Sequence, residues 1–391
     1  MNVQSSSQRP AGSRERTLDE VKAEVLRRAG RHNPVDSIRP QDAEAVMNAL
    51  TSLDLDHWAE QWCRIGLGYE ARGDARLAAG AGRADLEELY MRGFDACRVG
   101  RYPAPISPGQ LAAYHHSLRI FRKAVKYFDP PLEIIELPFE GKMLVGHLQL
   151  PPGVAKPPVV MHWGGVDGWK EDRIGASALV MKAGLASLAV DMPGSGENPF
   201  LYGDAAAEGT YLAWMDYLLQ RPELDGRRLG VWGGSFGAYW AARLAHVAAD
   251  RIGGAVFHGG NVHHGFQKEW LVPAFTTGGA TYLFGAASLL DARGRAVGTK
   301  TMEEFLATVP RFSLKTMGLI DKPSAPLLGV NGKLDDQAPV DDIYLLMEHG
   351  SPKSARIYPE GQHMGRTPGI PYDDILAMIV GWLREQLVRA G

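Results

Sequence analysis

An apolar run, Leu229-Gly230-Val231-Trp232, meets an alanine-rich segment across the five residues Gly233-Gly234-Ser235-Phe236-Gly237. That junction constrains the chain more than any other stretch. A short apolar run bounded by turn residues reads as a buried strand, and the alanines after it favour helix. A serine between them sits on a sharp strand-to-helix turn, where the residues two before and two after it must be small or the flanking backbones collide. The helix that starts near Phe236 aims its free N–H groups and positive end at any anion forming near Ser235. The plainer reading is a serine N-cap at a strand–helix junction. The buried-type strand before it and the helix after it favour a reactive serine.

With 391 residues the chain has room for one large domain and a smaller one. Its apolar share of 45% and charged share of 22% are those of an ordinary globular protein with ample core. A net charge of −3 points to neither nucleic acid nor an anionic membrane as partner. Cys63 and Cys97 make no metal-ligand spacing and read as buried thiols in a reducing compartment. Residues 1–16 are polar and Ser-rich without an apolar core, which predicts a disordered leader and no secretory signal. No run of about 18 apolar residues occurs, so a bilayer-crossing helix is not expected. The expected location is the cytoplasm.

Residues 17–130 read as a helical domain. Leu18, Val21, Val25 and Leu26 form one apolar stripe; Ala43, Val46, Met47 and Leu50 form a second. Trp58, Trp62, Ile65 and Tyr69 form a third that should end near Gly73-Asp74. Leu86 to Cys97, closed by Gly100, and Leu111 to Phe128, entered through Ser107-Pro108, complete the set. Asp129-Pro130-Pro131 breaks the pattern, and residues 131–391 have a different texture. Two strand-like runs, 132–137 and 143–150, flank a turn at Glu140-Gly141-Lys142, with Pro138 expected to stop the first. Short apolar strands at 158–162, 185–190, 229–232, 254–257, 325–330 and 355–358 then alternate with helices. Such alternation builds a mostly parallel sheet covered on both faces, with reactive groups at the carboxyl ends of its strands.

A serine hydroxyl needs a base within hydrogen-bond reach, itself oriented by an acid. On this architecture the order along the chain is serine, acid, histidine. The strand at 325–330 runs into Asn331-Gly332-Lys333-Leu334-Asp335-Asp336, and Asp335 is the candidate acid, with its neighbour Asp336 as rival. Either carboxylate also suits a helix N-cap before Pro339. The last strand ends at Gly361-Gln362-His363, and His363 is the candidate base because imidazole titrates near working pH. His349 reads as a helix C-terminal cation, and His246 and His162 as structural. An oxyanion needs two fixed N–H donors: one from Phe236, the other from Gly165 or Val166 in the loop after the 158–162 strand. From 261 to about 311 the strand rhythm stops, which predicts a lid over the strand tips carrying His263, His264, Glu269 and Trp270. The spacing of His263, His264 and Glu269 fits no familiar metal site, so neither metal nor cofactor is expected.

These residues resemble the serine α/β-hydrolase superfamily. Within it the layout is similar to dihydroxypseudooxynicotine hydrolase, the fungal pigment polyketide-shortening hydrolases and the fermentation–respiration switch esterase-like proteins. The likeness spans nearly the whole chain: a helical N-terminal domain, the loop Trp163-Gly164-Gly165-Val166-Asp167-Gly168 followed by Lys170-Glu171, the turn Gly233 to Gly237, Gly332 with Asp335, and Gly361 with His363. It implies an α/β-hydrolase fold with a helical cap and a lid insertion, and Ser235, Asp335 and His363 as nucleophile, acid and base. It also implies a homodimer acting on a small aromatic or polyketide-like substrate, and cleavage of a carbon–carbon bond or an ester. Glu269 is the nearest match to an auxiliary cap-region glutamate of one relative, and Trp163 and His263 are further candidates to touch substrate.

The same three side chains serve an acyltransferase if another acceptor replaces water. A non-catalytic binding protein on a hydrolase scaffold is the third reading, and it has no need of a strained serine.

Overall fold

The computed structural model describes residues 16–276, 282–349 and 353–389; most of the expected leader lies outside them. The chain divides into two compact units. One runs from Glu133 onward apart from Tyr282–Ala292, and the other joins the residues up to Leu132 with that short segment.

The second unit is helical: α1 (Leu18–Arg28), α2 (Pro40–Ala49), α3 (Leu55–Ala78), α4 (Arg83–Gly100) and α5 (Pro108–Ala124). Thr17 starts α1 with a capping box to Glu20, and Ser107 caps α5 ahead of Pro108. α3 does not stop at Gly73-Asp74 but continues to Ala78. Gly73 is a point of close approach instead, since a β-carbon there would stand 2.7 Å from the Tyr90 ring on α4. One helix-favouring turn on either side carries the chain through the glycine once packing, not propensity, decides. The segment 282–292 joins this unit through side chains, with Phe284 4.8 Å from the Trp58 ring and Tyr282 5.6 Å from that of Tyr102.

The first unit holds β1 (Leu132–Phe139), β2 (Lys142–Gln149), β3 (Pro158–Trp163), β4 (Ala186–Val190), β5 (Asp225–Gly234), β6 (Gly254–His258), β7 (Leu327–Gly332) and β8 (Lys353–Tyr358). They form one sheet in the order β1-β2-β4-β3-β5-β6-β7-β8. β2 pairs antiparallel with β4, and from β4 to β8 every pairing is parallel. Pro138 does not end β1, which continues to Phe139. β1 is the edge strand, a position in which a sheet tolerates proline. Glu140 and Gly141, both at positive φ (49° and 70°), make the two-residue turn to β2.

The helices of this unit are α6 (Ile174–Lys182), α7 (Ala207–Leu219), α8 (Ala238–Val247), α9 (Lys268–Thr276), α10 (Ala286–Val297, shared with the helical unit), α11 (Met302–Thr308), α12 (Asp341–Glu348) and α13 (Tyr372–Arg389). Val180 of α6 and Ile375, Ile379, Leu383 and Leu387 of α13 bury a sheet face made by Val160, Trp232, Val256 and Val330. α7 packs on β5, and α8 on β5 and β6. Among the described residues no helix is long and apolar enough to cross a membrane. Where the strand rhythm of the sequence stops, the described residues form a 3-10 turn at His264–Phe266 and the helices α9, α10 and α11. Every parallel strand therefore empties its carboxyl end toward one rim.

Candidate active site

β5 ends at Gly234, and Ser235 turns the chain with a left-handed backbone (φ 54°). For a residue with a β-carbon this costs on the order of 1–3 kcal/mol, held in place by its surroundings. A β-carbon on Gly233 would stand 2.5 Å from the Gly237 carbonyl oxygen, and one on Gly237 would collide with the Gly164 carbonyl. Smallness at these two positions is therefore a packing requirement of the turn. A single 3-10 turn, Ser235–Gly237, leads into α8.

Ser235 Oγ lies 2.8 Å from His363 Nε2. His363 Nδ1–H donates to Asp335 Oδ2 at 2.8 Å, so Nε2 is free to accept the serine proton. Asp335 has no exposed side-chain surface, whereas the imidazole keeps 14% of its own. The carboxylate is fully engaged: Oδ2 also accepts Asn331 Nδ2–H at 2.9 Å, and Oδ1 accepts the N–H groups of Gln337 (2.7 Å) and Ala338 (3.2 Å). Asp335 thus orients the histidine and ties down its own loop, whereas α12 starts after Val340 without a side-chain cap. Asp336 is only half-buried, and the carboxylate that bonds to the His363 imidazole is that of Asp335.

The loop after β3 closes over the serine. A β-carbon on Gly165 would stand 2.8 Å from Ser235 Cβ and 3.1 Å from the Phe236 nitrogen, so only glycine lets this backbone approach. Gly165 and the Phe236 nitrogen meet beside the Ser235 hydroxyl, and Val166 follows Gly165 in the same loop. Trp169 Nε1–H holds the Val166 carbonyl at 3.1 Å, and Tyr202 Oη–H donates to the Phe236 carbonyl at 3.2 Å.

Trp163, a candidate to touch substrate, does not: it is fully buried, and its indole N–H donates to the Gly237 carbonyl at 2.8 Å. Its work is to hold the serine turn. His263 is engaged with Ser313 Oγ at 2.7 Å, and Glu269 lies exposed in the first turn of α9. Neither bonds to Ser235 or His363. Among the described residues no cluster of His, Cys, Asp and Glu is arranged to hold a metal.

Several residues to which the sequence gave no catalytic role are buried near the Gly165 loop. Lys170, fully buried behind the Gly165 loop, bonds through its backbone N–H to Asp191 Oδ1 at 2.8 Å. Its ammonium meets Glu171 (2.6 Å), Asp191 (2.9 Å) and Glu197 (2.7 Å). Burial raises the Glu171 carboxyl to about 7, against the pull of Lys170 and with the push of Asp191. His162 donates to Ser187 Oγ at 2.7 Å and accepts from Arg173 Nε at 3.2 Å; burial drives its pKa well down. The signal for Lys170 in the sequence was its place, with Glu171, just after the Gly-rich loop that follows β3.

The family described as Esterase FrsA-like matches residues 46–388. The chain belongs to the FrsA-like esterase family. Esterase FrsA of Vibrio cholerae is 23% identical over 342 residues, covering 85% of this chain and 77% of that protein. The 2,6-dihydropseudooxynicotine hydrolase of Paenarthrobacter nicotinovorans is 26% identical over 207 residues, 52% of this chain and 55% of that one. Among solved structures, 2,6-dihydroxy-pseudo-oxynicotine hydrolase superposes with a TM-score of 0.75 at 19% identity, covering 90% of this chain and 93% of its own. AbyA5 superposes with a TM-score of 0.71 at 19% identity, covering 96% and 100%. The fold is that of the α/β-hydrolases, and this member of the FrsA-like family is an enzyme of that hydrolase type.

Proposed function

We propose that the protein is a serine hydrolase that cleaves esters of a small aromatic or polyketide-like acid without metal or cofactor. The observation that carries this reading is the unbroken chain from Asp335 through His363 to the strained Ser235. Ser235 Oγ attacks the substrate carbonyl as His363 Nε2 takes its proton. The N–H of Phe236, with that of Gly165 or Val166, receives the negative charge that forms on the carbonyl oxygen. His363 then protonates the departing alkoxide, and the same groups admit water to release the acid and restore the serine.

An ester suits this site because His363 alone supplies the proton an alkoxide needs. Similarity to proteins named as hydrolases of dihydropseudooxynicotine supports an aromatic substrate, and cleavage of an aryl diketone is the competing chemistry. A panel of p-nitrophenyl esters set beside aryl diketones separates the two, and adding amine or alcohol acceptors tests for acyl transfer. Ser235→Ala should lower turnover by more than about 1,000-fold while substrate still binds, since members of such a triad act as one unit. A fluorophosphonate should label the wild type at Ser235 and leave the variant unlabelled. Turnover of the Ser235→Ala protein within about tenfold of wild type removes Ser235 from the mechanism.

A further inference from the structure

Met364, the residue after the imidazole, holds a left-handed backbone (φ 61°, ψ 25°). Methionine gains nothing from that region, so its surroundings must impose it. Both halves of its backbone are gripped by buried side chains. Its N–H donates to Asn331 Oδ1 at 3.0 Å, and its carbonyl accepts the Nε2–H of His258 at 2.9 Å.

Each of these two side chains is itself fixed. Asn331, at the end of β7, donates through Nδ2 to Asp335 Oδ2 (2.9 Å) and to the Ala338 carbonyl (3.0 Å). One buried amide therefore joins the acid's loop to the peptide that follows the base. His258, at the end of β6, accepts the Trp232 indole N–H at Nδ1 (3.4 Å), and its ring stacks between those of Trp232 and Tyr372. Burial holds His258 neutral, with a pKa of about 3. The neutral ring has one N–H, and the indole at Nδ1 leaves it on Nε2, aimed at Met364. Next to it, a β-carbon on Gly259 would stand 2.8 Å from Met364 Cγ, so the two segments meet at the closest spacing glycine permits.

We propose that His258 and Asn331 are positioning residues that clamp the Met364 peptide and thereby aim His363 at Ser235. The clamp rests on the reading of His363 as the base, and neither residue touches substrate. Without it Met364 relaxes to a negative φ, and the imidazole one bond away swings off the serine. A misplacement of about 1 Å at a reacting group costs roughly 100-fold in rate.

The test uses the full chain and a p-nitrophenyl ester as substrate. His258→Phe keeps an aromatic ring between Trp232 and Tyr372 but donates nothing; His258→Gln restores a donor toward the Met364 carbonyl. Expected for His258→Phe is a kcat lower by roughly 10- to 100-fold with KM within about twofold, and slower fluorophosphonate labelling of Ser235 in the same proportion. His258→Gln should recover at least half of that loss on a logarithmic scale. Asn331→Ala should lose a comparable amount. The double variant should lose less than the product of the two single losses, because both side chains grip the Met364 peptide while Asn331 also holds Asp335. A folded His258→Phe protein with kcat within about twofold of wild type overturns the proposal, as does a loss that the Gln variant fails to recover. If His258→Phe does not fold, the Gln and Asn331→Ala proteins decide by the same kcat-against-KM split. Retained activity in Ser235→Ala would instead strike the triad reading itself, which keeps the two failures apart.

Discussion

Asp335 and Asp336 are adjacent carboxylates that the fold sends to different environments. Asp335 receives His363, Asn331 and two backbone N–H groups, whereas Asp336 lies half-exposed. Asp335→Asn should lower kcat/KM by about 100- to 10,000-fold, because an amide no longer stabilises the imidazolium and permits the wrong tautomer. Asp336→Asn should stay within about threefold. Rates with a p-nitrophenyl ester across both variants check this, and the reverse pattern would reassign the acid. The sequence made Ser235 legible because its turn carries small residues at fixed offsets: Gly233 must clear the Gly237 carbonyl and Gly237 the Gly164 carbonyl. It made His363 legible through chain order. It favoured Asp335 by position but kept Asp336 as a rival, because the directions of adjacent side chains are set only by the folded loop. His258 and Asn331 stayed hidden for another reason: their partner is the backbone of Met364, brought to them only by the pairing of β6 with β7 and β7 with β8.

At the scale of elements, β5 with α8 and the strand-end loops were readable from apolar runs and turn residues. The insertion after β6 was readable only as a loss of rhythm. What fixes its start is Asp342, in the first turn of α12 and fully buried. Its Oδ2 accepts the N–H groups of Val262 and Gly265, each at 3.0 Å. Its Oδ1 accepts those of His263 (3.0 Å) and His264 (2.7 Å). Burial raises the Asp342 carboxyl above its ordinary range, and these backbone donors pull it back. Nothing in the spacing of Asp342 and residues 262–265 announces this, because the link runs between elements far apart in the chain. Asp342→Ala leaves four backbone donors without their acceptor, and should destabilise the protein by about 3 kcal/mol or more. Urea unfolding reads that loss, and hydrogen exchange at residues 262–265 should accelerate ahead of the rest of the chain. Unchanged exchange there would mean that other contacts hold the segment.

Over the whole molecule, the helical and sheet-based units were each legible from periodicity. The membership of Tyr282–Ala292 in the helical unit was not, because it depends on ring contacts with Trp58 and Tyr102. Stability against pH integrates groups that no motif reveals. Glu171, raised by burial to about 7 from an ordinary 4.5, keeps its proton in the native state where the unfolded chain has released it. Its contribution is complete below pH 4.5 and decays as pH rises through 7, by ~3 kcal/mol in all. His258, lowered by burial to about 3 from 6.5, acts in the opposite sense. Its contribution is complete above pH 6.5 and is lost on acidification at ~1.4 kcal/mol per pH unit. Between pH 4.5 and 6.5 the two slopes cancel, and His162, also lowered by burial, tips the balance toward acid instability. Urea unfolding from pH 4.5 to 8 should therefore show Glu171→Gln gaining ~3 kcal/mol relative to wild type as pH rises across that range. His258→Gln should gain relative to wild type as pH falls from 6.5. Curves that run parallel to wild type would place both groups in ordinary, solvated surroundings, contrary to the buried positions from which their opposed slopes follow.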